Sequence, residues 1–324
     1  MHIKRFLTLL LLGTLLLQGC GGGNDKTTGD KTDTTPSQET PDNNTTDNND
    51  SSQNSGTTPT QYALWECPVT SQSENAFVDT FIDSNHNDIG YNLNTLAQPK
   101  SVSEIEALFN NAHRNDPTIS QNIVLPPQTD WDNMSSSQKT LYLVNWERCA
   151  RGLRPFEGID PTLRDGATHP YAEFIATHQS AFASNPHQAD GKSPGDRMAD
   201  AGIRLGEESE YYSENIATFT LGNSLSYPTV YEPEAHAVYG WLYQDKAEAY
   251  GHRKNVLQTG LNDNTGESNT EGLIAAATTT VQEQLGGFFT TKSFVVMDAF
   301  DPLPAWQSHM SQIVKVPLYK RTAQ

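Results

Sequence analysis

The sequence predicts a mixed α+β domain, and three observations carry that prediction. Apolar residues recur at helical spacing from residue 102 to about 250, strand-like runs appear only after residue 272, and Gly286-Gly287 marks a turn between those runs. Helices that come early and strands that come late segregate along the chain instead of alternating, which is the α+β pattern.

The first helix is expected over 102–112, with Ile105, Leu108 and Phe109 on one face and Ser101 or Ser103 as its cap. The next starts at the serines 135–137, carries Leu141, Val144, Asn145 and Arg148, and stops at Gly152. A third is expected from about 161 to 178, where Leu163, Ala167, Tyr171, Phe174 and Ile175 share a helical period. Ser193-Pro194-Gly195-Asp196 opens a short helix with serine at the cap, proline at the first turn and an acid three residues after the cap; Gly202 closes it. Ala235, Val238, Trp241 and Leu242 mark a further helix that ends before Gly251-His252, and strands follow over 273–279 and 293–300.

The N-terminus reads as an export leader. Lys4 and Arg5 precede a mostly apolar run over 6–17, too short for the roughly 20 residues that a membrane span needs. Leu17-Gln18-Gly19-Cys20 then resembles the bacterial lipobox, so residues 1–19 are expected to be cleaved and Cys20 to be acylated. The membrane is thereby a partner through Cys20, and the protein is placed in the cell envelope outside the cytoplasm. Gly21, where an aspartate would signal inner-membrane retention, points to the outer membrane in a Gram-negative host. Residues 21–60 contain no Val, Ile, Leu, Met, Phe, Trp, Tyr, Ala or Cys. Such a segment has nothing to bury against its ordering entropy, and as a flexible tether of forty residues it reaches roughly 35 Å.

The formal charge is −18, and the leader removes Lys4 and Arg5 but no acid, leaving −20 on the processed chain. A surface of that sign disfavours nucleic acid as a partner. Three cysteines occur, and acylation uses one; Cys67 and Cys149 then form either a disulfide, the simpler outcome in an exported protein, or two buried thiols. Residues 83–88 place oxygen-bearing side chains at Asp83, Asn85 and Asn87, as a calcium loop would, but Asp88 and Asn94 stand where glycine and glutamate belong, so a polar turn is the reading.

Five strings carry a family resemblance: Asn145-Trp146-Glu147-Arg148 with Gly152-Leu153-Arg154-Pro155, His187 ahead of residues 190–197, Glu214-Asn215-Ile216, Trp241, and 251–257 beginning Gly251-His252-Arg253. In that order, over residues 135–302, the chain resembles the CAP superfamily of cysteine-rich secretory, antigen 5 and pathogenesis-related proteins. The resemblance implies a three-layer α-β-α sandwich at 135–302, with 61–134 as an N-terminal extension and 303–324 as a C-terminal tail. It also implies a solvent-open cleft in which His187, Glu214 and His252 meet. Where many members carry a second glutamate this chain has Gln244, with Asp245 beside it.

Two imidazoles and a carboxylate in a groove can ligate Zn²⁺ or another divalent ion, here through His187 and His252, or act as acid and base. Two functions remain open on this reading. One is a binding module whose cleft holds a lipid, glycan, metal or protein ligand; the other is a peptidase-like hydrolase in which Glu214 or a metal activates water. Asn215 is expected to bind backbone and Arg197 to pair with an acid inside the fold. Tyr239, Trp241 and Tyr243 are expected to divide between core and cleft rim, while His169, His178 and His236 are assigned to the surface. The polar segment 262–271 is either a specificity loop or a tolerated insertion. No Gly-x-Ser-x-Gly elbow, His-Glu-x-x-His helix or phosphate-binding glycine loop occurs.

Overall fold

The computed structural model describes residues 14–18 (backbone only), 62–68, 99–116, 118–245, 248, 250–257, 272–285 and 287–321. The calcium-loop candidate, the tether, Cys20 and the 262–271 segment lie outside these residues. The architecture is mixed α+β. Its elements in chain order are β1 (Thr14–Gln18), β2 (Tyr62–Leu64), α1 (Val102–His113), α2 (Gln128–Asp132), α3 (Ser136–Ala150), β3 (Gly158–Ile159), α4 (Pro161–Leu163) and a π turn (Arg164–Thr168). There follow α5 (His169–Thr177), α6 (Gln179–Ser184), α7 (Pro194–Asp200), β4 (Ser209–Ser224), α8 (Pro233–Tyr243), α9 (Gly251–Val256), β5 (Leu273–Leu285), β6 (Phe288–Pro302), a 3-10 helix (Pro304–Gln312) and β7 (Tyr319–Arg321).

The main sheet runs β1-β4-β6-β5-β3, antiparallel except where β3 joins β5. Helices cover both of its faces. Ile274 and Ala276 of β5 and Val295, Met297 and Ala299 of β6 share a core with α1, α3 and α8. Their neighbours Leu273, Ala275, Phe294, Val296 and Phe300 pack on the other face against the segment from α4 to α7. Alternation along each strand therefore sends successive side chains into two buried layers. That also explains why β4, sixteen residues long, gave no strand signal: with both faces covered, the apolar–polar alternation that marks a half-buried strand is missing.

Local chemistry sets the helix ends. Ser135 and Gln138 form a reciprocal capping box at α3, and Ser193 with Asp196 forms another at α7. Ser101, not Ser103, caps α1. The expected single helix over 161–178 is instead broken by the π turn. Pro170 has no N–H to give to the carbonyl one turn back, and Gly166 lies where a Cβ would come within 2.6 Å of Ala201 Cβ. A second correction concerns 251–257, which does not merely follow a helix but begins one of its own, entered through Tyr250 at φ 62°.

The segments flanking 135–302 are knitted into the same body. Val102, Ile105, Phe109 and Trp131 belong to one core with Leu143, Trp146 and Val238. Trp306 is buried and donates to Asp160 Oδ2 at 2.9 Å, and β7 pairs with β2. Cys67 is joined to Cys149, so of the two outcomes open in the sequence the disulfide is the one formed. Residues 14–18, inside the expected leader, run antiparallel along the outer edge of β4, Thr14 opposite Thr220 and Gln18 opposite Ile216.

Candidate functional site

The site grows from two successive residues of β4. Glu214 lies opposite Asp298 of β6, and Asn215 opposite Met297. Because side chains alternate, Glu214 enters the layer of α5 and α7 while Asn215 enters that of α8 and α9.

On the first side, Glu214 is fully buried, and its carboxylate accepts from Arg197 on one oxygen and meets His187 Nδ1 at 2.7 Å on the other. Arg197 also holds the backbone that carries His187. Its guanidinium donates to the carbonyls of His187 (3.2 Å) and Lys192 (2.8 Å) and to Asp190 Oδ1 (3.1 Å), and it lies 3.5 Å over the Tyr171 ring. The capping box at Ser193 fixes the start of α7, and hence where Arg197 stands. His187 is 8% exposed, and its Nε2 is buried without a hydrogen-bond partner. Asp298 completes this side: burial, and then the neighbouring Glu214 charge, push its carboxyl well above the usual carboxylate range. Thr168 and Glu214 are near enough to influence Asp298, but neither of its oxygens makes a hydrogen bond of normal geometry.

On the other side, His252 takes its acid from Asp245. His252 Nδ1 lies 2.6 Å from Asp245 Oδ1, and Asp245 Oδ2 accepts from the Arg253 N–H at 2.9 Å. Asn215 donates to the His252 carbonyl at 3.1 Å, and Asn255 donates to Asn215 Oδ1 at 2.7 Å. Trp241 stacks near the His252 ring and donates to the Ile216 carbonyl at 3.4 Å. The expectation for Asn215 thus holds, as does that of an internal acid partner for Arg197. Tyr239, Trp241 and Tyr243 are all core, with no division between core and rim.

The three residues assigned to one cleft are therefore distributed over two histidine–carboxylate pairs, His187–Glu214 and His252–Asp245, tied through adjacent β4 residues. Glu214 and His252 have no exposed surface, which departs from the solvent-open cleft expected for them. No known protein family, curated protein or solved structure matches the chain. Among the described residues no group of three or more His, Cys, Asp and Glu side chains is arranged to hold a metal ion, and Glu214 already spends both oxygens on Arg197 and His187. A cavity of about 390 Å³ lies elsewhere, where Ser135 at the start of α3 faces Arg164, Asp165 and His169; Arg164 and Asp165 neutralise each other there at 2.7 and 2.8 Å.

Sequence reasoning missed Asp298, whose signal was a lone acid inside the apolar run 294–300, and it misplaced His236. His169 and His178 are exposed as expected, but His236 is buried on α8, edge-on to Phe219, with Nε2 lacking a partner. Burial alone pulls its pKa from 6.5 down to about 4. The unfolded chain therefore binds a proton at His236 between those values while the folded chain does not, and stability drops by up to about 3 kcal/mol as pH is lowered from 6.5 to 4. His236→Leu should flatten urea-unfolding stability between pH 6.5 and 4; an unchanged pH slope would refute the assignment.

Proposed function

We propose that the chain is a lipid-anchored, extracytoplasmic member of the CAP superfamily, folded as a three-layer α-β-α sandwich, that acts as a binding module and not as an enzyme. The ordered strings and helices on both faces of the sheet support the family reading. The single observation that carries the function is the placement of Glu214: a carboxylate buried, ion-paired to Arg197 and bonded to His187 has both oxygens engaged within the fold, with none turned towards a water. What it positions is His187, whose Nε2, buried and without a protein partner, is the nitrogen of this pair still to be engaged. Among the described residues no three such donors converge as zinc requires, so the reading leans on lipid, glycan or protein ligands.

The alternative hydrolase is favoured by one feature. An imidazole oriented through Nδ1 by a carboxylate, with its other nitrogen unengaged, is the arrangement of a general base. Native mass spectrometry of the lipoprotein purified from its own membrane separates the two. The expected result is a retained ligand whose occupancy falls roughly tenfold in His187→Ala, the equivalent of one good hydrogen bond. Release of product from envelope glycan or protein by the wild type, abolished in His187→Ala with the fold intact, would establish the hydrolase instead. Zinc titration of the same two proteins tests the metal directly.

A further inference from the structure

The far end of the main sheet carries an apolar tip that the histidine pairs do not use. Ser224, the last residue of β4, pairs with Phe289 at the start of β6, which brings the loop after β4 beside the β5–β6 hairpin. Leu225 is 86% exposed, Tyr227 40% and Phe288 40%, and Tyr227 meets Phe289 edge-on with ring centroids 4.6 Å apart. Nearly one residue in five of the chain is charged, yet 215–231 and 284–291 contain no Asp, Glu, Lys or Arg. Exposed large apolar side chains gathered at one turn region, in a protein with 39 acidic residues, cost solubility unless something covers them.

We propose that this tip, formed by Leu225, Tyr227, Phe288 and Phe289, docks into the lipid–water interface of the membrane that carries the anchor. The proposal rests on the lipid-anchored reading for its setting: an acyl anchor at Cys20 of the same chain keeps the domain near a bilayer, so even a weak contact is populated. Aromatic rings with a leucine, free of charge, are the composition that settles at headgroup level. A strongly acidic remainder repels anionic headgroups, so the contact must be apolar and insensitive to salt. Docking fixes the orientation of the domain, with the β4 end that bears Glu214 pointing away from the lipid.

The test uses residues 20–324 with Cys20→Ser, so that no acyl chain contributes, and flotation with phosphatidylcholine vesicles at 0.15 and 0.5 M NaCl. The protein should float equally at both salts. Leu225→Ser/Phe288→Ser should lower the floated fraction ten- to hundredfold, as expected for taking two large apolar side chains out of the interface, while Leu64→Ser, at an exposed position on β2, should not. Failure to float, or flotation of the double variant like the wild type with its melting temperature preserved, overturns the proposal. So does a concentration-dependent dimer that the double variant abolishes without flotation, which would make the tip a contact between copies. Acylation of Cys20 is read separately by lipid labelling of the wild-type chain, so loss of the anchor reading and loss of the tip are distinguishable.

Discussion

Replacing Arg151 with methionine should destabilise the protein by about 3–5 kcal/mol, the cost of stranding buried acids without their counter-ion. Arg151 stands at the end of α3 with no exposed surface to its side chain, and it donates to Glu147 Oε2 at 2.6 Å, Asp116 Oδ2 at 2.6 Å, Thr118 Oγ1 at 3.2 Å and Tyr243 Oη at 3.0 Å. Glu147 is held in turn by the Tyr243 hydroxyl at 2.7 Å and by His113 Nε2 at 2.7 Å. One guanidinium thus joins the loop after α1, α3 and α8, and Glu147 carries the link on to α1 through His113. For a domain of this size that loss corresponds to a fall in Tm of roughly 6–20 °C. Arg151→Lys, which keeps the charge but cannot fork to two acids, should lie between.

The same network sets a pH dependence. Burial raises the Glu147 pKa, but His113 and Arg151 outweigh it and lower the value to about 2 from 4.5. A depressed carboxylate pKa stabilises the fold above 4.5, and that stabilisation, about 3 kcal/mol, is lost as pH falls from 4.5 to 2. The wild type should weaken in two stages, from pH 6.5 to 4 through His236 and below 4.5 through Glu147. Arg151→Met should blunt only the second. A variant melting within about 2 °C of wild type would show that the network is not holding these helices.

The sequence disclosed helix starts more clearly than sheet or site. Caps are local, so the serines 135–137 and Ser193 with Asp196 announced themselves within four residues, while the choice of Ser135 and its Gln138 partner came with the structure. β4 did not, because a strand buried on both faces loses its period, and the π turn did not, because its cause lies partly in Ala201, far along the chain. The histidine pairs were half legible. His187, Glu214 and His252 were found as residues, but pairing depends on which face of β4 each approaches, and no spacing in the sequence encodes that. Asp245 was noticed only as a neighbour of Gln244, yet it is the acid of His252. Arg197 was read as an ion-pair partner; its larger part, binding the backbone of 187–192 while neutralising Glu214, needed coordinates.

Removing the disulfide should cost as much as removing Arg151. Cys67 follows β2 and Cys149 sits in the last turn of α3, 82 residues apart. Cross-linking a loop of that length lowers the entropy of the unfolded chain by an amount equivalent to about 4–5 kcal/mol on the chain-entropy model. Cys67→Ala is the cleaner variant, since Cys149 is fully buried and a change there would add a packing defect. The contacts left to hold 62–68 in Cys67→Ala include the Trp65 ring against Trp146 at 5.3 Å, Tyr62 edge-on to Tyr319 at 6.3 Å, the Trp65 N–H on the Leu318 carbonyl at 2.9 Å and the short β2–β7 ladder. Urea unfolding of the full chain should show the loss as a lower midpoint. Thiol labelling of the unfolded, unreduced wild type should find Cys67 and Cys149 protected, and two reactive thiols would sink the prediction. Cys149 and Arg151 lie within one turn of each other at the end of α3 and both fasten segments N-terminal to α3, the bridge holding 62–68 and the guanidinium holding Asp116 and Thr118 in the loop after α1. Their combined loss should therefore differ from the sum of the two, because the second removal acts on a segment the first has already loosened.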